Sequence, residues 1–483
     1  RGVSTADTPR FFMASPDLAV IVPARRVDND LRFELPDNTY PPGDYWLFAS
    51  ATDSEGTIAS ASISFGLFRQ VSARKLSAYI SSSPWAEVLP RCAAASTPFQ
   101  ICTLNTLPFI GQSNTSPTVD DVLARTVVSD PWMGPRFEQI LRAIPADMLK
   151  LFRGTTAVVI GSKIRPAFYT AATGAIYLDP QDLWLTPAER QSIDWEPDYR
   201  AGFGDSMQFI SYDLYVAGNA PAWTPSYAYN DFESRSLQDI VLPMANLLAH
   251  ELAHANDAMP PALLSAVAGN ETVLDASLRF QAWSPSLQLL TTYPLSSSFL
   301  YQLGEVLFFG APVSESILQL SARSLGLEFA QDEANALYAY ATPYEDTAML
   351  VEEVLTSYYF GVDRIVSFLD LPPGEPQDCT EYTVQWSSIN RAAKPAVKER
   401  ARLVLSGILD EADVARYLDA VPEPGELERG LSLCENLDRL PSEPRALPGR
   451  FIPPPVVARI QAEKVRAHRQ VRERTLHGRT RVR

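Results

Sequence analysis

Two histidines and a glutamate in the run His250-Glu251-Leu252-Ala253-His254 are the residues of this chain best placed to do chemistry. On a helix, side chains four apart project from one face, so both imidazoles can converge on one metal ion. Glu251 then points at the coordination position where zinc would hold water. Ile240, Val241, Met244, Leu247, Leu248 and Leu252 give such a helix its apolar face, and Asn256, Pro260 and Pro261 supply its stop. The chemistry is hydrolysis, with zinc lowering the pKa of a water toward about 7 and Glu251 acting as general base.

The rest of the site must come from elsewhere in the chain. The remaining histidines are His468 and His477, both in a basic tail, and Asp257 and Pro260 stand where an HExxHxxGxxH pattern needs Gly and a third His. The third ligand is therefore expected to be a carboxylate. Asp257, one turn beyond His254, is the nearest. Glu345 follows Pro343, which suits the first turn of a helix running to about Phe360, and Glu352 lies two turns further along the same face. Glu352 is either a fallback ligand or a carboxylate that orients a ligand histidine.

The run from Tyr338 to Ala348, Tyr-(six residues)-Glu-x-x-Ala, resembles an element of the gluzincin-like peptidases related to the anthrax lethal factor protease domain. With the HExxH run, that resemblance implies a zincin fold, zinc as cofactor and protein or peptide substrates. It makes Glu345 the third ligand and Tyr338 the donor to the oxyanion. The reading is a zinc metalloendopeptidase with Glu251 and Tyr338 catalytic and His250, His254 and Glu345 on the metal.

The fold expected around these residues is multidomain α+β: a small N-terminal β-sandwich, then a zincin-like α/β region with a helical lobe. In residues 1–66, Leu31 to Leu35, Tyr45 to Ala51 and Ile58 to Phe65 alternate at period two around a Pro-Pro-Gly-Asp turn and an Asp-Ser-Glu-Gly hairpin. The segment resembles the last strands of bacterial immunoglobulin-like modules, which implies a bacterial origin and export. Residues 67–118 read as an irregular connector, 119–415 as the metallopeptidase domain, 416–458 as a proline-rich wrap and 459–483 as the basic tail. Within the domain, Val119 to Val128 and Arg136 to Phe152 have helical spacing, whereas Thr155 to Ile160, Ala167 to Thr170 and Ala175 to Leu178 read as strands. A β-rich insertion over about Met207 to Val216 precedes the motif helix, and the chain is expected to be mostly helical from Pro260 to about Leu409. Ala175-Ile176-Tyr177-Leu178 suits either an edge strand that pairs with substrate or an interior strand.

Composition bounds the alternatives. At 483 residues, with 46% apolar and 20% charged residues, the chain is a globular protein of two or three domains. Its net charge of −16 excludes nucleic acid as a general partner. No run reaches the roughly 20 apolar residues of a membrane helix. Arg1 opens the sequence without Met or a signal-peptide pattern, as a processed or trimmed form would. None of the four cysteines lies in a CxxC pair; Cys92 with Cys102 and Cys379 with Cys434 can close two disulfides, or all four can be buried thiols. Disulfides would favour a periplasmic, cell-surface or secreted location. The tail carries nine Lys or Arg and two Glu from Arg459 to Arg483, enough to dock on an acidic partner or anionic surface. A second function fits the same features: a surface or assembly protein whose zinc site is mainly structural.

Overall fold

Helix and strand boundaries follow local chemistry closely around the motif. Ser236 and Asp239 form a capping pair, Asp239 Oδ2 accepting from Ser236 N at 2.5 Å and Oγ at 2.8 Å, and a helix runs over Leu237–Ala258 (hereafter the motif helix). It tolerates Pro243 two turns in, and ends where Pro260 and Pro261 can no longer continue it. A second helix, Pro343–Phe360 (the glutamate helix), opens with Pro343 at its first position, Thr342 Oγ1 capping Glu345 N, and closes on Gly361 at φ 68°. The computed structural model describes the strands between residues 10 and 67 and residues 76–95, 100–193, 198–223, 234–372 and 379–445.

The architecture is mixed α+β. The N-terminal strands β1 (Arg10–Ala14), β2 (Ile21–Pro23), β5 (Gly43–Thr52) and β6 (Ile58–Leu67) form an antiparallel sheet in the order β2-β1-β5-β6, and β3 (Arg25–Val27) pairs with β4 (Asp30–Arg32). The long β5–β6 pair is the expected hairpin, with its turn outside the described residues.

A five-stranded sheet follows, in the order β10-β11-β9-β8-β7, from β7 (Ser77–Ala78), β8 (Thr126–Val128), β9 (Ala157–Ile160), β10 (Phe168–Thr170) and β11 (Ala175–Leu178). Its alternation is two-sided. Val158, Ile160, Ile176 and Leu178 face a core shared with Leu248 and Leu252 of the motif helix and Val351 and Leu355 of the glutamate helix. Val159, Ala175 and Tyr177 face the opposite way, onto Leu89, Cys92 and Leu107. The stretch expected as a connector is thus part of this domain: it supplies strand β7 and the cover of one sheet face, closed by the Cys92–Cys102 disulfide. The edge-strand alternative for Ala175 to Leu178 is corrected. β11 lies inside, parallel to β9 and antiparallel to β10, so β10 is the edge. Likewise the helix expected over Val119 to Val128 stops at Leu123, because Thr126, Val127 and Val128 pair with β9.

A four-stranded sheet has the order β13-β12-β14-β15, from β12 (Phe209–Ala217), β13 (Ala220–Pro221), β14 (Asp363–Asp370) and β15 (Val384–Ile389). The run from Pro260 to Leu409 is mostly helical, as expected, and β14 and β15 are the strands that interrupt it. β14 is covered on both faces, by Phe329 against Phe368 on one and by Leu433, Cys434 and Leu437 near Ile365 and Leu369 on the other. A doubly buried strand shows no polar alternation and cannot be told from a short helical segment by period. The Cys379–Cys434 disulfide fastens the helix Leu433–Arg439 over this sheet, so the described part of the proline-rich wrap contributes to a core. The tail lies outside the described residues, and among those described no helix is long and apolar enough to cross a membrane.

Candidate metal centre

The two helices that matter run antiparallel. Asn246 Nδ2 donates to Thr356 Oγ1 at 3.0 Å, His250 meets Glu352, and His254 meets Glu345, so successive turns of one pair with receding turns of the other. Gly154 lets the preceding 3-10 segment Ala146–Gly154 lie against the motif helix: a Cβ there would stand 2.8 Å from the carbonyl oxygen of Ala255. Asn256 locks the same contact by donating to Leu151 O and Leu252 O at 2.6 and 2.7 Å.

His250, His254 and Glu345 come together as a group that could hold a metal ion. Nε2 of His250 lies 3.3 Å from Nε2 of His254; Glu345 Oε2 lies 3.0 Å from the first and 3.5 Å from the second. A tetrahedral ion with bonds of about 2.0–2.2 Å has ligand–ligand edges of about 3.3–3.6 Å. Two of the three separations match the edges of that tetrahedron and the third, at 3.0 Å, is slightly shorter. Glu345 Oε2 is also a buried oxygen without an aligned hydrogen bond, although two ring nitrogens are in reach. A cation between the three satisfies all of them. The three side chains are 12, 14 and 18% exposed.

The surrounding groups fix the protonation of this set. Nδ1 of His250 is 3.0 Å from Glu352 Oε2, and Tyr215 Oη donates to Glu352 Oε1 at 2.7 Å. A neutral His250 ring that keeps its proton on Nδ1 and donates it to Glu352 has its lone pair on Nε2, toward the other donors. Glu352 thus meets the opposite ring nitrogen of His250 and lies outside the three-donor group. Burial opposes its ionisation, but the hydrogen bond from His250 and the charge of Arg364 hold it below the usual carboxylate range. Glu345 is also held well below that range, His254 and His250 outweighing burial. Burial pulls His250 down, yet its bonds to Glu345 and Glu352 leave it well above an ordinary imidazole.

Glu251 lies within electrostatic reach of His250, His254 and Glu345 without joining the triad. It is 4% exposed, and its Oε2 has no hydrogen-bond partner. Burial raises its pKa, with His250 and His254 pulling the other way. Tyr338 sits in the 3-10 turn Leu337–Tyr340 and donates to Glu345 Oε1 at 3.0 Å; its ring lies near-parallel to His250, centroids 6.3 Å apart. Burial and the neighbouring Glu345 hold the phenol well above its normal range, so it stays a donor. That single proton is committed to Glu345 in this state. Sequence reasoning missed Arg200, whose Nη1 donates to Tyr338 Oη at 3.4 Å while Asp198 grips the guanidinium at 2.7–3.2 Å. Nothing local signals it, since it lies 138 residues from Tyr338 in a turn beside Ala201 and Gly202.

Asp257 is corrected as a ligand candidate. Its two oxygens each accept from Ser286, backbone N and Oγ, at 2.7 Å, so it anchors the start of the helix Pro285–Thr292. Burial pushes it up to about 6 despite those bonds. The sign of its pH effect follows. The folded chain keeps a proton that the unfolded chain releases near its ordinary value of 3.8, so this group costs stability as pH rises from about 4 through 6. Asp257→Asn, whose amide can pair with Ser286 at any pH, should therefore gain on the parent between pH 4 and pH 7. The expected gain is on the order of 3 kcal/mol, read from denaturant midpoints. An equal offset at both pH values would contradict it.

Compared with protein-family models, curated proteins and solved structures, the chain matches none of them.

Proposed function

We propose that this chain is a zinc-dependent metallopeptidase of zincin architecture, exported from the reducing cytosol, with its N-terminal strands forming an immunoglobulin-like spacer. The observation that carries the reading is the pairing of a three-donor group, with separations near those of a tetrahedral ion, with a buried carboxylate whose Oε2 has no hydrogen-bond partner. Glu251 is that carboxylate, and its free Oε2 favours activity over a purely structural metal. The two disulfides support the compartment.

His250, His254 and Glu345 would hold the ion, and Glu352 would keep His250 in its ligating tautomer. A zinc ion supplies Lewis acidity, polarising a scissile carbonyl and making water reactive near neutral pH. Glu251 takes the proton of the attacking water on Oε2 and passes it to the leaving nitrogen. Its burial keeps it basic enough to do so. As charge grows on the carbonyl oxygen, Tyr338 turns its O–H from Glu345 to that oxygen. Arg200, fixed by Asp198, holds the phenol oxygen in place and adds positive charge beside it.

A peptide-library digest by the full chain tests the proposal. Cleavage should stop with a chelator and return with added zinc. Zinc bound at one equivalent with no cleavage of any peptide would instead make this a structural site.

A further inference from the structure

Tyr338, whose ring lies 6.3 Å from that of His250, also lines a cavity of about 440 Å³, within the roughly 300–1,000 Å³ of small-ligand sites. Phe203, Phe209, Leu307, Phe308 and Leu337 give it apolar walls, and Tyr338 closes one end, its ring edge-on to Phe308 at 4.8 Å. No Lys or Arg lines it. Of its two carboxylates, Asp213 is paired through Oδ2 with Arg364 at 2.7 Å. Along one side runs β12 from Phe209 to Asp213. Among the described residues this stretch is paired only on its β14 side, since β13 reaches only Val216 and Ala217. The opposite wall is held in place as well: Phe203 rests on Gly310, where a Cβ would come within 2.6 Å of its ring.

We propose that this cavity receives one large apolar or aromatic side chain of the substrate, at a fixed position beside the bond that is cut. The inference rests on the peptidase reading. Tyr338 is the link, because one ring serves as cavity wall and lies 6.3 Å from the ring of His250. A residue reacting at the triad therefore has a neighbour within one side chain's reach of the cavity. Burying a Phe-sized group against these walls favours it over alanine by roughly 10- to 100-fold.

The test uses the full-length, zinc-loaded chain and Ser211→Trp, an exposed β12 residue whose enlargement fills the cavity from its rim. In a library digest the parent should enrich Phe, Tyr, Leu or Met at one position beside the cut. Ser211→Trp should lose that enrichment by about tenfold or more while still cutting peptides with Ala or Ser there. An unchanged preference in Ser211→Trp, or a parent with no preference at any flanking position, overturns the cavity assignment and leaves the peptidase reading standing. Binding of two metal-directed probes, the hydroxamates of N-acetylphenylalanine and N-acetylalanine, reads the cavity without turnover. Tighter binding of the first to the parent, levelled in Ser211→Trp, supports the cavity even if no peptide is cut. Equal binding of both to the parent overturns it.

Discussion

Glu251→Gln should retain zinc at the parental level and lose hydrolysis by about 10²- to 10⁴-fold in kcat, the usual worth of a positioned general base. The substitution keeps shape and removes the basic oxygen. Glu251 has no hydrogen bond at Oε2 to lose and no place in the donor triad, so neither the fold nor the metal has reason to change. The amide also relieves a buried charge, and the variant should be at least as stable as the parent. Elemental analysis and steady-state kinetics on one preparation decide the matter. Lost metal would make Glu251 a ligand, and retained activity would move the base elsewhere. KM should change little, because Glu251 acts on the proton and not on the bound substrate.

How much of this was legible depends on the distance over which each residue's role is decided. The His250–His254 face is a property of one helical turn, and its apolar flank from Ile240 to Leu252 is repeated in the buried pattern of the motif helix. The place of Glu345 in the first turn of a helix from Pro343 to Phe360 was legible in the same way, whereas its choice as third ligand came from the resemblance of the Tyr338 to Ala348 run. Glu352 could only be narrowed to two roles. Which of them it plays depends on whether it meets Nδ1 or Nε2 of His250, a fact of how two helices face each other. Arg200 and Tyr215 were invisible because their partners lie 138 and 137 residues away. β14 was missed for the opposite reason: it is buried on both faces, which erases the period that would have marked it, and β15 carries polar Gln385, Ser387 and Ser388 with no clean alternation. The Asp after Glu345 gains a purpose only in three dimensions, where Arg400 holds Asp346 from the neighbouring helix Pro395–Leu409.

The largest expected effect on the metal itself belongs to Glu345→Ala. Removing this carboxylate takes away one of three donors and the only one with negative charge, leaving two imidazoles that cannot hold zinc against buffer. Occupancy after dialysis should fall below detection. Glu352→Ala should give a graded loss, about 10- to 100-fold in affinity, since it frees the His250 ring to choose its tautomer without deleting a ligand. The two predictions separate because the same helix presents both carboxylates. Any general damage to the glutamate helix would lower both variants alike. Glu345→Ala carries one confounding cost, as Tyr338 loses the acceptor at Glu345 Oε1. Tyr338→Phe controls for it, removing the same hydrogen bond while keeping all three donors. If Tyr338→Phe binds zinc like the parent and Glu345→Ala does not, the loss belongs to the ligand. Unchanged zinc content in Glu345→Ala would remove it from the coordination set, since Glu352 faces Nδ1 of His250 and not the Nε2 side where the other donors meet.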